Sequence, residues 1–159
     1  MKIVALIAPA TWPAVIAAVQ RHGGDVSVHL VATAEPPAPL VGPPGALMGR
    51  GLPPAPVPPD LAESAASALL AQAAAALTIP AICEVLPGSA ERAVIHACAD
   101  ADLLVLARDG DNTRLGPASL EHETRFIVDH APCTVELVWP STPPSVATIP
   151  PPPGVRPLT

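Results

Sequence analysis

The sequence predicts a doubly wound α/β domain, in which helices cover both faces of a parallel sheet. Three observations support this prediction. Short apolar runs such as residues 2–8 and 103–107 are typical of strands that are buried on both faces. Helical segments lie between these runs, as the crossovers between parallel strands require. At 159 residues, the chain is also long enough to bury one core of ordinary size.

Five predicted strands and four predicted helices alternate along the chain. Thr11 is the expected N-cap of the first helix, and Asp60 with Glu63 forms a capping box that opens the second. The predicted strands are residues 2–8, 26–32, 79–86, 103–107 and 134–138, and the predicted helices are residues 12–22, 60–77, 88–100 and 119–130.

Two proline-rich segments break this pattern. Residues 33–60 hold 10 of the 24 prolines, and the last twenty residues hold eight more. Because this composition is incompatible with packed helices, we expect a long surface loop at 33–60 and a disordered tail at 141–159. The predicted domain therefore spans residues 1–140, with the loop as an insertion.

Composition and charge argue against several classes of function. The 8 basic residues are scattered among 14 acidic ones and only three residues are aromatic, so nucleic-acid binding has no support. No segment reaches the 18 apolar residues of a membrane span, which predicts a cytoplasmic protein without a membrane anchor. Cys83, Cys98 and Cys133 lack metal-ligand spacing and are expected to be buried, reduced thiols.

The topology also predicts where a ligand would bind. In a flavodoxin-like sheet of strand order 3-2-1-4-5, the ligand site lies beyond the carboxyl ends of the first and fourth strands. Ala8 and Pro9 would then face Arg108 and Gly110, and the N–H groups of residues 116–119 would be available to a phosphate. Residues 116–119 are also explained as a structural helix start alone, because Pro favours the first helical position.

Three segments resemble the universal stress proteins: ADLLVLARDG at 101–110, LGPAS at 115–119 and RFIVDHAPCTVELVWP at 125–140. The family has a similar apolar strand, a glycine loop and an Ala-Pro-Cys segment before its last strand. The resemblance extends over residues 2–140. It implies the three-layer sandwich of the adenine nucleotide alpha hydrolase-like fold, with five parallel strands.

The chain departs from the nucleotide motif of that family. ATP-binding members carry G-x2-G-x9-G-[S/T], and the positions that correspond to its glycines are Gly110, Thr113 and Gly116. Six positions separate Gly110 from Gly116 where the motif has thirteen. The family's aspartate at the end of the first strand falls near Ala8 or Pro9, which carry no polar side chain. The candidate nucleotide-binding residues, in a degenerate motif, are Ala8, Pro9, Arg108, Gly110, Gly116 and Ser119.

The resemblance and the shortened loop together predict a non-catalytic, dimeric module in stress response or regulation that acts on an unidentified protein partner. It would not bind ATP as the family's motif does, so no cofactor is expected. We expect no catalytic residues and no metal ligands, because no nucleophile, base or His pair has a suitable spacing. One alternative is a stress-sensing switch that binds ATP or AMP. The other is a nucleotidyl-transferring enzyme, which would require an intact phosphate loop.

The last strand suggests a homodimer. Its apolar and aromatic sequence would lie at the edge of the sheet, where strands are normally paired or protected. The resemblance implies an antiparallel contact between two copies of this strand. The alternative is an edge that the proline-rich tail covers. The predicted dimer residues are Val135, Glu136, Leu137, Val138 and Trp139.

Overall fold

The computed structural model describes residues 1–34, 58–87 and 90–150. Within them the strands are β1 (Lys2–Leu6), β2 (Ser27–Thr33), β3 (Ala81–Leu86), β4 (Leu103–Ala107) and β5 (Thr134–Val138), and the helices are α1 (Trp12–Val19), α2 (Pro59–Ala75), α3 (Ala90–Ala97) and α4 (His122–His130). The five strands form one sheet in the order β3-β2-β1-β4-β5, and all four neighbouring pairs are parallel. The predicted fold class and strand order are confirmed.

The sheet lies between two layers of helices, each with its own apolar cluster. Successive side chains of a strand point to opposite faces, so Ile3 and Ala5 pack on one side of β1 while Val4 packs on the other. Helices α1 and α2 cover the first face, and α3 and α4 cover the second. None of the described helices is long and apolar enough to cross a membrane.

Helix α2 packs on the sheet through small side chains. Its buried residues, Ala62, Ala66, Leu70 and Ala73, recur at helical spacing on one stripe. The predicted capping box is wrong, because α2 begins at Pro59 and no side chain caps it. Proline sets the backbone angle of the first helical position and has no N–H to satisfy, which explains this start. Thr11 likewise precedes α1 without a side-chain cap.

The fourth helix begins later than predicted. Residues Pro117–Ser119 form a single 3-10 turn, and Leu120 then adopts an extended conformation before α4 opens at His122. The physical reason is that the carbonyl groups of Ala118 and Ser119 accept hydrogen bonds from Asp111 and Gly110. Because these carbonyls are engaged across the loop, they cannot propagate a helix.

Part of the predicted tail has defined structure. Residues Val146–Thr148 form a 3-10 turn, and the Thr148 hydroxyl accepts a hydrogen bond of 3.0 Å from the Leu115 N–H. This bond joins Thr148 to the β4–α4 connection, while the disorder of the tail at 141–159 stays a prediction. Residues 151–159 and residues 35–57 of the predicted loop lie outside the described residues.

The three cysteines differ in exposure. Cys98 is buried and Cys133 is partly buried, but Cys83 is exposed, so the prediction of buried thiols is wrong for Cys83. The reason is its position on β3, which lies at an edge of the sheet. Burial, with Cys133 adjacent, raises the pKa of the Cys98 thiol to about 12. Burial also raises the pKa of Cys83.

We expect Cys83 to be alkylated first in the folded protein and Cys98 to react only after unfolding. The thiolate is the reactive form, so at a pH of about 8 a thiol that is both buried and high in pKa is protected twice. Iodoacetamide labelling followed by peptide mass spectrometry, with and without denaturant, measures this order. Equal labelling rates for Cys98 and Cys83 in the folded protein would contradict the described packing.

Candidate functional site

A pocket of about 660 Å³ opens beyond the carboxyl ends of β1, β2 and β4. This is the position that the topology predicts for a ligand in a doubly wound sheet. Its walls come from the β1–α1 connection and from three helices, and they are mainly aliphatic. The residues that form them include Ala8, Pro9, Ala62, Ala66, Val94 and Ile127.

The structure separates the predicted nucleotide-binding residues into two groups. Ala8 and Pro9 line the pocket. Arg108, Gly110, Gly116 and Ser119 are not part of its described lining; they lie instead in the connection between β4 and α4 and bond to one another. The sequence predicted that both groups lie at the same end of the sheet. It did not predict that the residues of the second group would hydrogen-bond to one another.

Two backbone segments of the β4–α4 connection are paired. The Gly110 N–H donates to the Ser119 carbonyl at 3.1 Å, and the Asp111 N–H donates to the Ala118 carbonyl at 2.8 Å. The segments approach so closely that a Cβ atom at residue 110 would lie 2.4 Å from the Ala118 carbonyl oxygen. Gly110 is therefore explained by close backbone approach, which only glycine permits. We call residues 108–120 the closed loop.

Ser119 fixes the interior of the closed loop. Its side chain is buried, and its hydroxyl donates to the Gly116 carbonyl at 2.7 Å while it accepts from Nη1 of Arg108. Gly116 has a φ of +138°, a conformation that L side chains rarely adopt. Gly116 and Ser119, which the family's motif would assign to phosphate binding, therefore form a turn within the closed loop.

Arg108 is held by groups of the protein. Besides its bond to Ser119, its guanidinium lies 4.5 Å from the centre of the Trp139 ring, within the range of a cation–π contact. Its Nε atom is buried and has no hydrogen-bond partner among the described residues. Arg108 therefore joins the closed loop to the residue that follows β5.

Asp109 is the polar residue of this region that sequence reasoning missed as a site residue. One carboxylate oxygen accepts the Glu121 N–H at 2.9 Å, and the other accepts the Thr124 hydroxyl at 2.6 Å. The carboxylate thus lies at the N-terminus of α4, the position that attracts anions in parallel α/β sheets. Rules that consider only the residues next to a helix could not predict this contact, because Asp109 lies outside α4 and its flanking residues.

A second acidic residue of the closed loop is engaged within its own turn. Both the N–H and the hydroxyl of Thr113 donate to one oxygen of Asp111, and Nε of Arg114 donates to the other at 3.0 Å. The Thr113 hydrogen bonds, with a smaller effect of Arg114, lower the pKa of Asp111. Arg114 is therefore paired with a carboxylate of its own turn.

The predicted dimer strand is partly engaged within the protomer. Glu136 contacts Nη2 of Arg21 at 2.9 Å and Nε2 of His22 at 2.6 Å, and both partners follow α1. Trp139 stacks against Arg108, and Val138 is buried. Val135 and Leu137 are half-buried. Since β5 pairs only with β4 in the described sheet, its other edge has no strand beside it.

Across residues 1–34, 58–87 and 90–150, no group of three or more His, Cys, Asp or Glu residues could hold a metal ion. The candidate site consists of the pocket and the closed loop beside it.

Comparison with known proteins gives a likeness in structure. No protein-family model and no curated protein sequence matches the chain. Among solved structures, the universal stress protein UspA from Lactobacillus plantarum is similar, with a TM-score of 0.49 and 16% sequence identity over 87% of this chain and 97% of that chain. The five parallel strands in the order 3-2-1-4-5, with four helices among the described residues, form a doubly wound α/β fold.

Proposed function

We propose that this protein is a non-catalytic, universal-stress-protein-like module of stress response or regulation that does not bind ATP in the way the family's motif would. The observation that carries the proposal is the closed loop. The N–H groups of Gly110 and Asp111 bond to backbone carbonyls, and the N–H of Glu121 bonds to the Asp109 carboxylate. A phosphate at this position would have to break these bonds.

Electrostatics supports the same proposal. The Asp109 carboxylate lies at the opening of α4, and Glu123 adds a second acidic side chain in its first turn. Two like charges 4 Å apart repel each other by about 1 kcal/mol in bulk water and by about 4 kcal/mol near a protein surface. These carboxylates would therefore repel a phosphate group bound beside them. The two arginines of the loop, Arg108 and Arg114, already have partners within it.

An adenine-nucleotide switch is the second candidate function. The observation that favours it is the pocket itself, whose volume lies within the usual range for small-molecule sites and whose place in the fold is that of a ligand site. For the switch to operate, the closed loop would have to open when ATP or AMP binds.

A titration with a fluorescent ATP analogue, in the presence of Mg²⁺, separates the two candidates. We expect no saturable signal up to about millimolar concentration, because binding must displace internal hydrogen bonds at about 1 kcal/mol each and overcome carboxylate repulsion. Phosphate release, measured in the same samples, is expected to stay at the rate of buffer. A saturable signal that unlabelled ATP or AMP reverses would establish the switch instead.

We further infer that two copies of the chain pair through β5. The Val138 carbonyl accepts the Arg108 N–H at 2.9 Å, so it points toward β4. Because N–H and C=O groups alternate between the two sides of a strand, those of Val135 and Leu137 point away from β4. A second β5 strand would satisfy them, and an edge of this kind otherwise invites uncontrolled pairing.

A further inference from the structure

The pocket at the carboxyl end of the sheet has a chemistry of its own, distinct from that of a nucleotide site. Its described lining contains no aromatic and no basic side chain. Among the described residues, a purine base would therefore find no ring to stack on, and a phosphate would find no cation. What the lining offers is aliphatic surface with a few oxygen atoms at its rim.

The aliphatic surface has a specific origin. Helix α2 faces the pocket mainly with alanines, and only Leu61 and Leu69 on this helix contribute larger apolar side chains. Small side chains leave space between α2 and the sheet, and Ile7, Val94 and Ile127 close the space from other elements. The volume of about 660 Å³ fits a small molecule with an alkyl chain.

The rim is acidic. Asp109 and Glu123 are the charged residues of the described lining, and both are carboxylates. The Asp109 carboxylate uses two of its roughly four lone-pair sites on Glu121 and Thr124, so it retains capacity for a further donor. Thr11, Thr33 and Gln72 add neutral oxygen atoms nearby.

The geometry points to a binding site for an aliphatic amine: an alkyl chain that lies among the α2 alanines and an ammonium group that meets the carboxylates of Asp109 and Glu123. Charge complementarity selects this occupant. An alkyl carboxylate would enter the same apolar space but would face two like charges at the rim. This assignment concerns the pocket alone and holds whether or not the closed loop admits a nucleotide.

The test is isothermal titration of the full chain with decylamine, decan-1-ol and decanoate, each below its micelle-forming concentration. Because the three probes share one alkyl chain, differences report on the head group. We expect saturable one-to-one binding of decylamine, at least about tenfold tighter than that of decanoate, with the alcohol between them. Equal affinities, tighter binding of decanoate, or no binding of decylamine would overturn the assignment.

Two matched variants test where the alkyl chain binds. Ala65 lines the pocket and is exposed to it, so Ala65→Phe should weaken decylamine binding by about tenfold or more without disturbing the core. Ala71 lies on the same helix, is exposed, and is not part of the lining, so Ala71→Phe should leave the affinity unchanged. Equal affinities for the two variants would show that decylamine binds elsewhere and would overturn the assignment.

Two further variants test where the ammonium group binds. Asp109→Asn should reduce the preference for decylamine over decanoate, but it also alters the bonds that Asp109 makes to α4. Glu123→Gln removes the second rim charge without changing those bonds, so it keeps the test decisive if Asp109→Asn fails to fold. An unchanged preference in Glu123→Gln, with Asp109→Asn either unchanged or unfolded, would overturn the role of the carboxylates.

Discussion

Gly110→Ala should destabilise the protein by about 1–3 kcal/mol, the range for a side chain forced into a filled space. The added methyl group would lie 2.4 Å from the Ala118 carbonyl oxygen and 2.9 Å from the Ser119 carbonyl carbon. Both neighbours are backbone atoms that cannot rotate away, so the two segments of the closed loop must separate. The loss of the Gly110–Ser119 and Asp111–Ala118 hydrogen bonds would follow. Chemical denaturation, monitored by circular dichroism, measures the change in unfolding free energy.

Gly23→Ala is the matched control for this variant. A Cβ atom at residue 23 would meet nothing within 4 Å, and the residue has no positive φ. We expect its unfolding free energy to stay within about 0.5 kcal/mol of the unaltered protein, as for most surface changes. Equal stabilities of the two variants would show that the closed loop is not packed as described.

Val135→Pro should convert the proposed dimer into a monomer. Proline has no N–H, and the Val135 N–H is one of those that point away from β4, so the substitution removes a bond to the second copy while the β4–β5 ladder stays intact. Its ring also obstructs the approach of another strand. The expected result is a halving of the mass in size-exclusion chromatography with light scattering, with the far-ultraviolet circular dichroism unchanged.

Val135→Ala separates backbone pairing from side-chain packing. It shortens the side chain but retains the N–H, so we expect this variant to remain a dimer, somewhat weakened. If the unaltered protein has the mass of a monomer at micromolar concentration, or if Val135→Pro stays a dimer, pairing through β5 is wrong. The start of the tail, where Ser141 and Pro143 line a shallow pocket together with Leu137 and Trp139, would then be the better explanation of how this edge is protected.

The fold was predictable because its signals are local and repeated. Continuous apolar runs such as 103–107 identify strands covered on both faces, and helical segments between them fix a parallel sheet. The errors fall where a distant contact overrides a local rule. The fourth helix starts at His122 because Gly110 and Asp111 bond to carbonyls that a helix would have used.

The location of the candidate site was predictable from the sequence, but the residues that form it were only partly predictable. Topology located the ligand end of the sheet, and Ala8 and Pro9 do line its pocket. The pairing of Asp109 with Thr124 depends on how two elements meet in space, which no spacing rule encodes. The pocket exists partly because α2 lines it with alanines. Their small size was visible in the sequence, but their distance from the other walls of the pocket was not.

Amide hydrogen exchange of the closed loop and of Glu121 tests directly whether the N–H groups that a phosphate would bind are already occupied. In the nucleotide-free protein, the amides of Gly110, Asp111 and Glu121 should exchange far more slowly than in an unfolded peptide, since each donates to an acceptor within the protein. Addition of ATP with Mg²⁺ should leave their rates and chemical shifts unchanged. Rapid exchange without nucleotide, with protection only when ATP is present, would show that these N–H groups are free to bind a phosphate.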